Sequence, residues 1–218
     1  MKEMTKKPKW HEDYWLLLMQ LYLQKPVGVK PLYSRGMVSL SLELHFSPEE
    51  LLAKMRAIDR LDTPRIERIW ETYHKDPERL ARAVRLWRSM RGFGDAETFY
   101  KGVTVNETFE KDFKPLEEEP ELTPVALILI LELYFRLTPI TMVSKTPEVV
   151  ELAKLLKVRP AKVAEVLTVF QYCDPYLNRR DVMFSPLLLP CQNVWQRFGN
   201  NDTEELEALA RQLAEYYR

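Results

Sequence analysis

Glycine is scarce in this chain, with 6 residues in 218. A loop that cradles phosphate with its backbone amides needs several glycines close together, so that class of site is not expected. No GxSxG, HExxH or P-loop spacing occurs either. Cysteine is scarcer still. Cys173 and Cys191 are the whole complement, without CxxC spacing or companion ligands, which argues against a disulfide framework and a thiolate metal centre. The three histidines, His11, His45 and His74, are scattered and are expected to pack or cap. No catalytic residue, metal ligand or cofactor is assigned, and the chain is not expected to be an enzyme.

Net charge is absent too. Lysine plus arginine number 32 and aspartate plus glutamate number 32, so no overall field draws the chain toward nucleic acid or membrane. Long apolar runs are also missing. Tyr14 to Leu23 is too short to span a bilayer, and Glu132 interrupts the run Val125 to Leu137. The basic start (Lys2, Lys6, Lys7, Lys9) leads into Glu12 and Asp13 with no small-residue cleavage site, so it is not read as an export signal. A cytoplasmic, reduced protein without a membrane partner is the simplest expectation.

What the chain does have is helical punctuation. Ser47-Pro48, Thr63-Pro64, Asp76-Pro77, Thr123-Pro124 and Thr146-Pro147 each set a capping oxygen before a proline that needs no donor at the first helical position. Glu50 completes a capping box with Ser47. Five such starts predict a mainly α fold. Helices are expected over 11–24, 36–45, 48–60, 64–74, 77–91, 124–137, 147–158, 160–171, 194–198 and 203–217. The helix at 77–91 carries Arg79, Arg82, Arg85, Arg88 and Arg91 beside its apolar face. That stripe reads as a solvated flank whose stems cover apolar surface, or as a phosphate- or carboxylate-binding stripe.

The chain also resembles itself. Shifted by 112 positions, Leu21, Tyr22, Val38, Leu40, Leu44, Pro48 and Asp62 meet Leu133, Tyr134, Val150, Leu152, Leu156, Pro160 and Asp174. Leu51, Met55 and Ile58 meet Val163, Leu167 and Phe170, a shared i, i+4, i+7 face. The match resumes when Trp70 meets Trp195, leaving 13 or 14 extra residues in the second copy. The period exceeds that of any solenoid repeat, so two similar helical domains from an internal duplication are expected. The organisation read from this is a basic arm over 1–10, copy one over 11–93, an acidic connector over 94–122, and copy two over 123–218 with an insert at 175–193. Thirty residues are long for a structureless loop, so part of the connector is expected to pack against a domain.

The order helix, link, helix, turn, helix, with ELAKLLKVRPAKVAEVL as the helical pair and YLNRRDVMF as a wing, resembles a tandem winged-helix or helix-turn-helix arrangement. The likeness covers 124–184 and, more weakly, 12–62. Val158 and Arg159 stand at the turn where a glycine is usual, and copy one has no wing. The resemblance implies a small wing-like hairpin around Asn178 to Asp181 and a recognition helix opening with Arg159 and Lys162. Arg179 and Arg180 at the wing tip would then meet phosphates. Those four residues are the candidate nucleic-acid contacts, although Glu49 and Glu50 at the matching place in copy one would repel DNA. Such domains also dock proteins. In that reading Met183, Phe184, Leu187 and Leu188 of the insert form either a partner surface, for another protein or for a second copy as a homodimer, or a plug between the copies. The sequence therefore points to a non-enzymatic macromolecule-binding protein, with nucleic acid or a protein as partner.

Overall fold

A computed structural model describes residues 9–90, 107–177 and 183–218. Among these residues the chain forms eleven α-helices and no strand. Contacts divide it into two compact units, Met1–Glu107 and Thr108–Arg218.

The first unit comprises α1 (Tyr14–Leu23), α2 (Arg35–Leu44), α3 (Pro48–Arg60), α4 (Pro64–Tyr73) and α5 (Pro77–Met90). The axis is α1, against which the other four pack. Leu17, Leu18, Met19, Leu21 and Tyr22 of α1 are buried, so no polar stripe survives along its middle. A helix that is apolar nearly all round must be surrounded by others.

The second unit comprises α6 (Glu107–Asp112), α7 (Pro124–Arg136), α8 (Pro147–Leu156), α9 (Pro160–Cys173), α10 (Leu188–Phe198) and α11 (Thr203–Leu213). Here α7 is the axis, touched by α8, α9, α10 and α11. Val125 to Leu131 are buried without a break. The apolar run that is too short for a bilayer is therefore the hub of a helical bundle. No helix among the described residues is long and apolar enough to cross a membrane.

Most of the punctuation works as the chemistry requires. The Ser47 hydroxyl accepts from the Glu50 amide at 3.3 Å while Glu50 reaches back to the Ser47 amide. Thr63, Asp76 and Thr123 accept from the amides of Ile66, Arg79 and Ala126. Thr146 does not cap: its hydroxyl donates to the Thr141 carbonyl instead, and α8 starts on Pro147 alone. Helix α10 begins at Leu188, not at the expected 194, and so takes in Pro190. Proline in a first turn removes only an amide that has no intrahelical acceptor.

Two further expectations need correction or closer definition. Flanking the expected wing, Pro175–Leu177 is a 3₁₀ turn and α10 starts at Leu188, so the described part of the insert contains no extended pair. The wing tip itself, 178–182, lies outside the described residues. The connector beyond 106 packs into the second unit. Phe113 and Leu122 are buried, and the Phe113 ring meets Tyr216 at 5.0 Å.

The two units match at the helical pairs α2–α3 and α8–α9. Shifting Arg35–Leu44 by 112 gives Pro147–Leu156, the span of α8. Both helices end on a left-handed residue, His45 (φ 57°) and Lys157 (φ 60°), where a glycine would be usual. Met37, Ser41, Leu44, Leu51, Met55 and Ile58 are buried, and so are Val149, Ala153, Leu156, Val163, Leu167 and Phe170 at the same shift. A tyrosine–carboxylate–tryptophan contact also occurs twice. Tyr22 donates to Asp59 at 2.6 Å with the Trp70 ring edge-on at 6.0 Å. Tyr134 donates to Asp174 at 2.7 Å with Trp195 edge-on at 5.6 Å. The sequence match pairs Asp62 with Asp174, but Asp59, one turn earlier, receives the phenol. Asp62 is held by the Arg60 guanidinium instead.

Candidate functional site

Two surfaces compete for the functional role, the basic start of α9 and the apolar insert. At the first, Arg159 is exposed immediately before α9, whereas Lys162 is only 11% exposed. The Lys162 ammonium lies 2.9 Å from Glu165 and 3.3 Å from Glu119 of the connector. The hydrogen bond to Glu165 is the main cause that raises its pKa; desolvation opposes the rise and Glu119 adds to it. A cation held by two carboxylates has little attraction left for a phosphate. Arg179 and Arg180 lie outside the described residues, so of the four candidate nucleic-acid contacts the structure places two, one exposed and one neutralised. At the matching place in the first unit Glu49 and Glu50 are exposed, with Glu49 accepting from the Tyr33 hydroxyl.

The arginine stripe of α5 divides. Arg88 makes two 2.8 Å bonds to Glu43 of α2, Arg82 pairs with Glu78, and Arg79 lies 5.7 Å from the Tyr73 ring. Arg85 is exposed, and Arg91 is outside the described residues.

The insert divides as well, and more sharply. Leu187 is fully buried, whereas Phe184 is 94% and Leu189 66% exposed; Met183 and Leu188 are half-buried. Part of the insert is therefore buried and part is surface. Two residues that the sequence reading passed over join the exposed part: Tyr176, 88% exposed on the 3₁₀ turn, and Ile140, 89% exposed in the link between α7 and α8. An isoleucine in a link whose one charged residue is Lys145 was the available signal for the second.

Titratable groups elsewhere are structural in placement. The His74 ring stacks on Trp70 and bonds its carbonyl, His11 lies 3.3 Å from Asp13, and His45 ends α2. No group of three or more metal-binding side chains occurs among the described residues. Burial pushes the Cys173 thiol up to about 11, and it pushes Cys191 higher still with Cys173 contributing. Both are held as thiols, which disfavours nucleophilic chemistry. A cleft of about 190 Å³ between α7 and α11 contains Glu132, Arg136, Glu204 and Glu207. Burial raises the Glu132 carboxyl above its usual range, against the pull of Arg136 at 2.7 Å. That volume falls below the roughly 300–1,000 Å³ of small-molecule pockets.

Comparison with protein-family models, curated proteins and solved structures finds no match to this chain.

Proposed function

We propose that this is a non-enzymatic binding protein whose partner surface is the apolar end of the second unit and whose partner is a protein. The observation that carries the reading is the exposure of Tyr176 and Phe184, at 88% and 94%, where every other described ring is buried or half-buried except Phe135 at 38%. Contiguous exposed apolar side chains of that size are a common mark of an interaction site. The nucleic-acid reading rests on Arg159 and on two arginines outside the described residues; the engagement of Lys162 with Glu119 and Glu165 weighs against it. We also infer that the units descend from one duplicated bundle. The shared helix spans, buried positions and tyrosine–carboxylate–tryptophan contacts support this.

A photo-crosslinking residue placed at Phe184, and separately at Arg159, tests the choice in cells. The expected result is a protein adduct from position 184 and none to nucleic acid from 159. Mixed-sequence duplex DNA at low salt should not bind. Binding that weakens steeply with salt and is lost in Arg159→Glu would transfer the function to the basic surface.

A further inference from the structure

The apolar side chains of the second unit gather at one end of it, and the helix directions show why. The Tyr134 hydroxyl bonds Asp174 near the C-terminal ends of both α7 and α9, so these helices point the same way. The Gln171 amide lies 3.1 Å from the Met142 sulfur, which ties the 137–146 link to the end of α9. Helix α10 runs back along α9: Cys191 in its first turn neighbours Cys173 at the end of α9, and Trp195, one turn later, meets Phe170, one turn earlier. Its first turn, with Leu189, therefore lies at the end where α7 and α9 finish. Ile140, Val143, Tyr176, Leu177, Phe184 and Leu189 all belong to that end, and all are at least 37% exposed.

Charges border the apolar segments of this end: Arg136 and Lys145 flank the link and Asp174 precedes the 3₁₀ turn, while Arg179, Arg180 and Asp181 lie outside the described residues. Residues 137–144, 175–177 and 183–191 contain no Asp, Glu, Lys or Arg, in a chain that is 29% charged. The corresponding link of the first unit, Lys25 to Lys30, brackets Val27 and Val29 with lysines. Exposed apolar side chains such as Ile140, Tyr176, Phe184 and Leu189 are best complemented by another apolar surface, and this chain possesses one. The size also fits. Tyr176 and Phe184, at roughly 200 Å² per ring, together with Ile140 and Leu189 present on the order of 700 Å². Each partner contributes roughly 800 Å² to a standard-size interface. Charge depletion at the centre is a mark of homodimer contacts.

We propose that this end is a self-association surface on which a second copy of the chain docks by a two-fold, isologous contact. The proposal rests on the partner-surface reading above and names the partner. Sedimentation velocity on the full chain, from ~1 to ~200 μM across the usual range of interface affinities, should show a concentration-dependent shift from 25.9 kDa toward twice that mass. Phe184→Asp and Tyr176→Asp should each raise the dissociation constant at least ~30-fold, as for a central aromatic anchor, with unchanged circular dichroism. A wild type that stays at 25.9 kDa throughout overturns self-association, as does a dimer that both variants leave intact. Crosslinking from position 184 separates the levels of failure. A product of one chain with a different protein, or a crosslink that stays within one chain, removes the homodimer; the former leaves the partner surface standing, and no crosslink at all removes both.

Discussion

The two helical units agree inside and differ at one end. Each wraps four helices around an apolar axis, each turns from its second to its third helix through a non-glycine left-handed residue, and each ties a phenol to a carboxylate beside a tryptophan. Yet the first unit leaves its link lysine-flanked and moves straight from α3 into α4. The second has Leu137 and Met142 at the positions matching those lysines and adds an insert with exposed Phe184 and Leu189. Interiors tolerate only volume-conserving change, whereas surfaces are free to diverge. The difference between the units is therefore the place to look for function.

The sharpest break of that comparison is at the tryptophans. Trp195 touches Tyr134, Phe135 and Phe170, while Trp70 is less buried and touches Tyr22 and His74. Trp195→Ala should cost about 3–5 kcal/mol and Trp70→Ala clearly less, read by urea denaturation. Within the insert, Leu187→Ala should cost about 2–4 kcal/mol because the side chain is fully buried. Phe184→Ala should stay within about 0.5 kcal/mol, as a surface substitution does. Equal costs would erase the distinction between the buried and exposed parts of the insert.

Smaller effects sharpen the likeness. Tyr22→Phe and Tyr134→Phe each delete a hydrogen bond to a carboxylate and should cost about 1.5–3 kcal/mol, with similar values in the two units. His45→Gly and Lys157→Gly should each stabilise by about 1 kcal/mol by relieving the left-handed conformation. On the pH axis, burial pushes the Tyr22 phenol up to about 12, with Asp59 adding, and burial pushes Tyr217 to about 12 as well. A raised acid prefers its proton in the folded state. This contribution is therefore full below the unfolded phenol value near pH 10 and lost as pH rises toward 12. Thermal melts from pH 9 to 11.5 should fall, and Tyr22→Phe should flatten part of the fall.

Much of the fold was legible in the sequence because its signals are local. Ser47, Thr63 and Thr123 before proline fixed three helix starts to the residue, and the i, i+4, i+7 spacing of Val163, Leu167 and Phe170 gave the buried face of α9. The first turns of α10 were hidden by Pro190, a residue that a helix interior excludes although a first turn accommodates it. The site was less legible because exposure depends on tertiary neighbours. Leu187 and Leu189 differ by two positions in the chain, yet one is fully buried and the other 66% exposed. Lys162 reads as a free cation until Glu119, 43 positions earlier, comes within 3.3 Å.

The most direct test of the whole account is hydroxyl-radical footprinting of the native chain at rising protein concentration. The account predicts that protection grows at Tyr176, Phe184 and Leu189 while Arg159, Val27 and Leu86 react at a constant rate. Protection appearing at Arg159 or on the first unit, with the three insert-end residues unchanged, would contradict it.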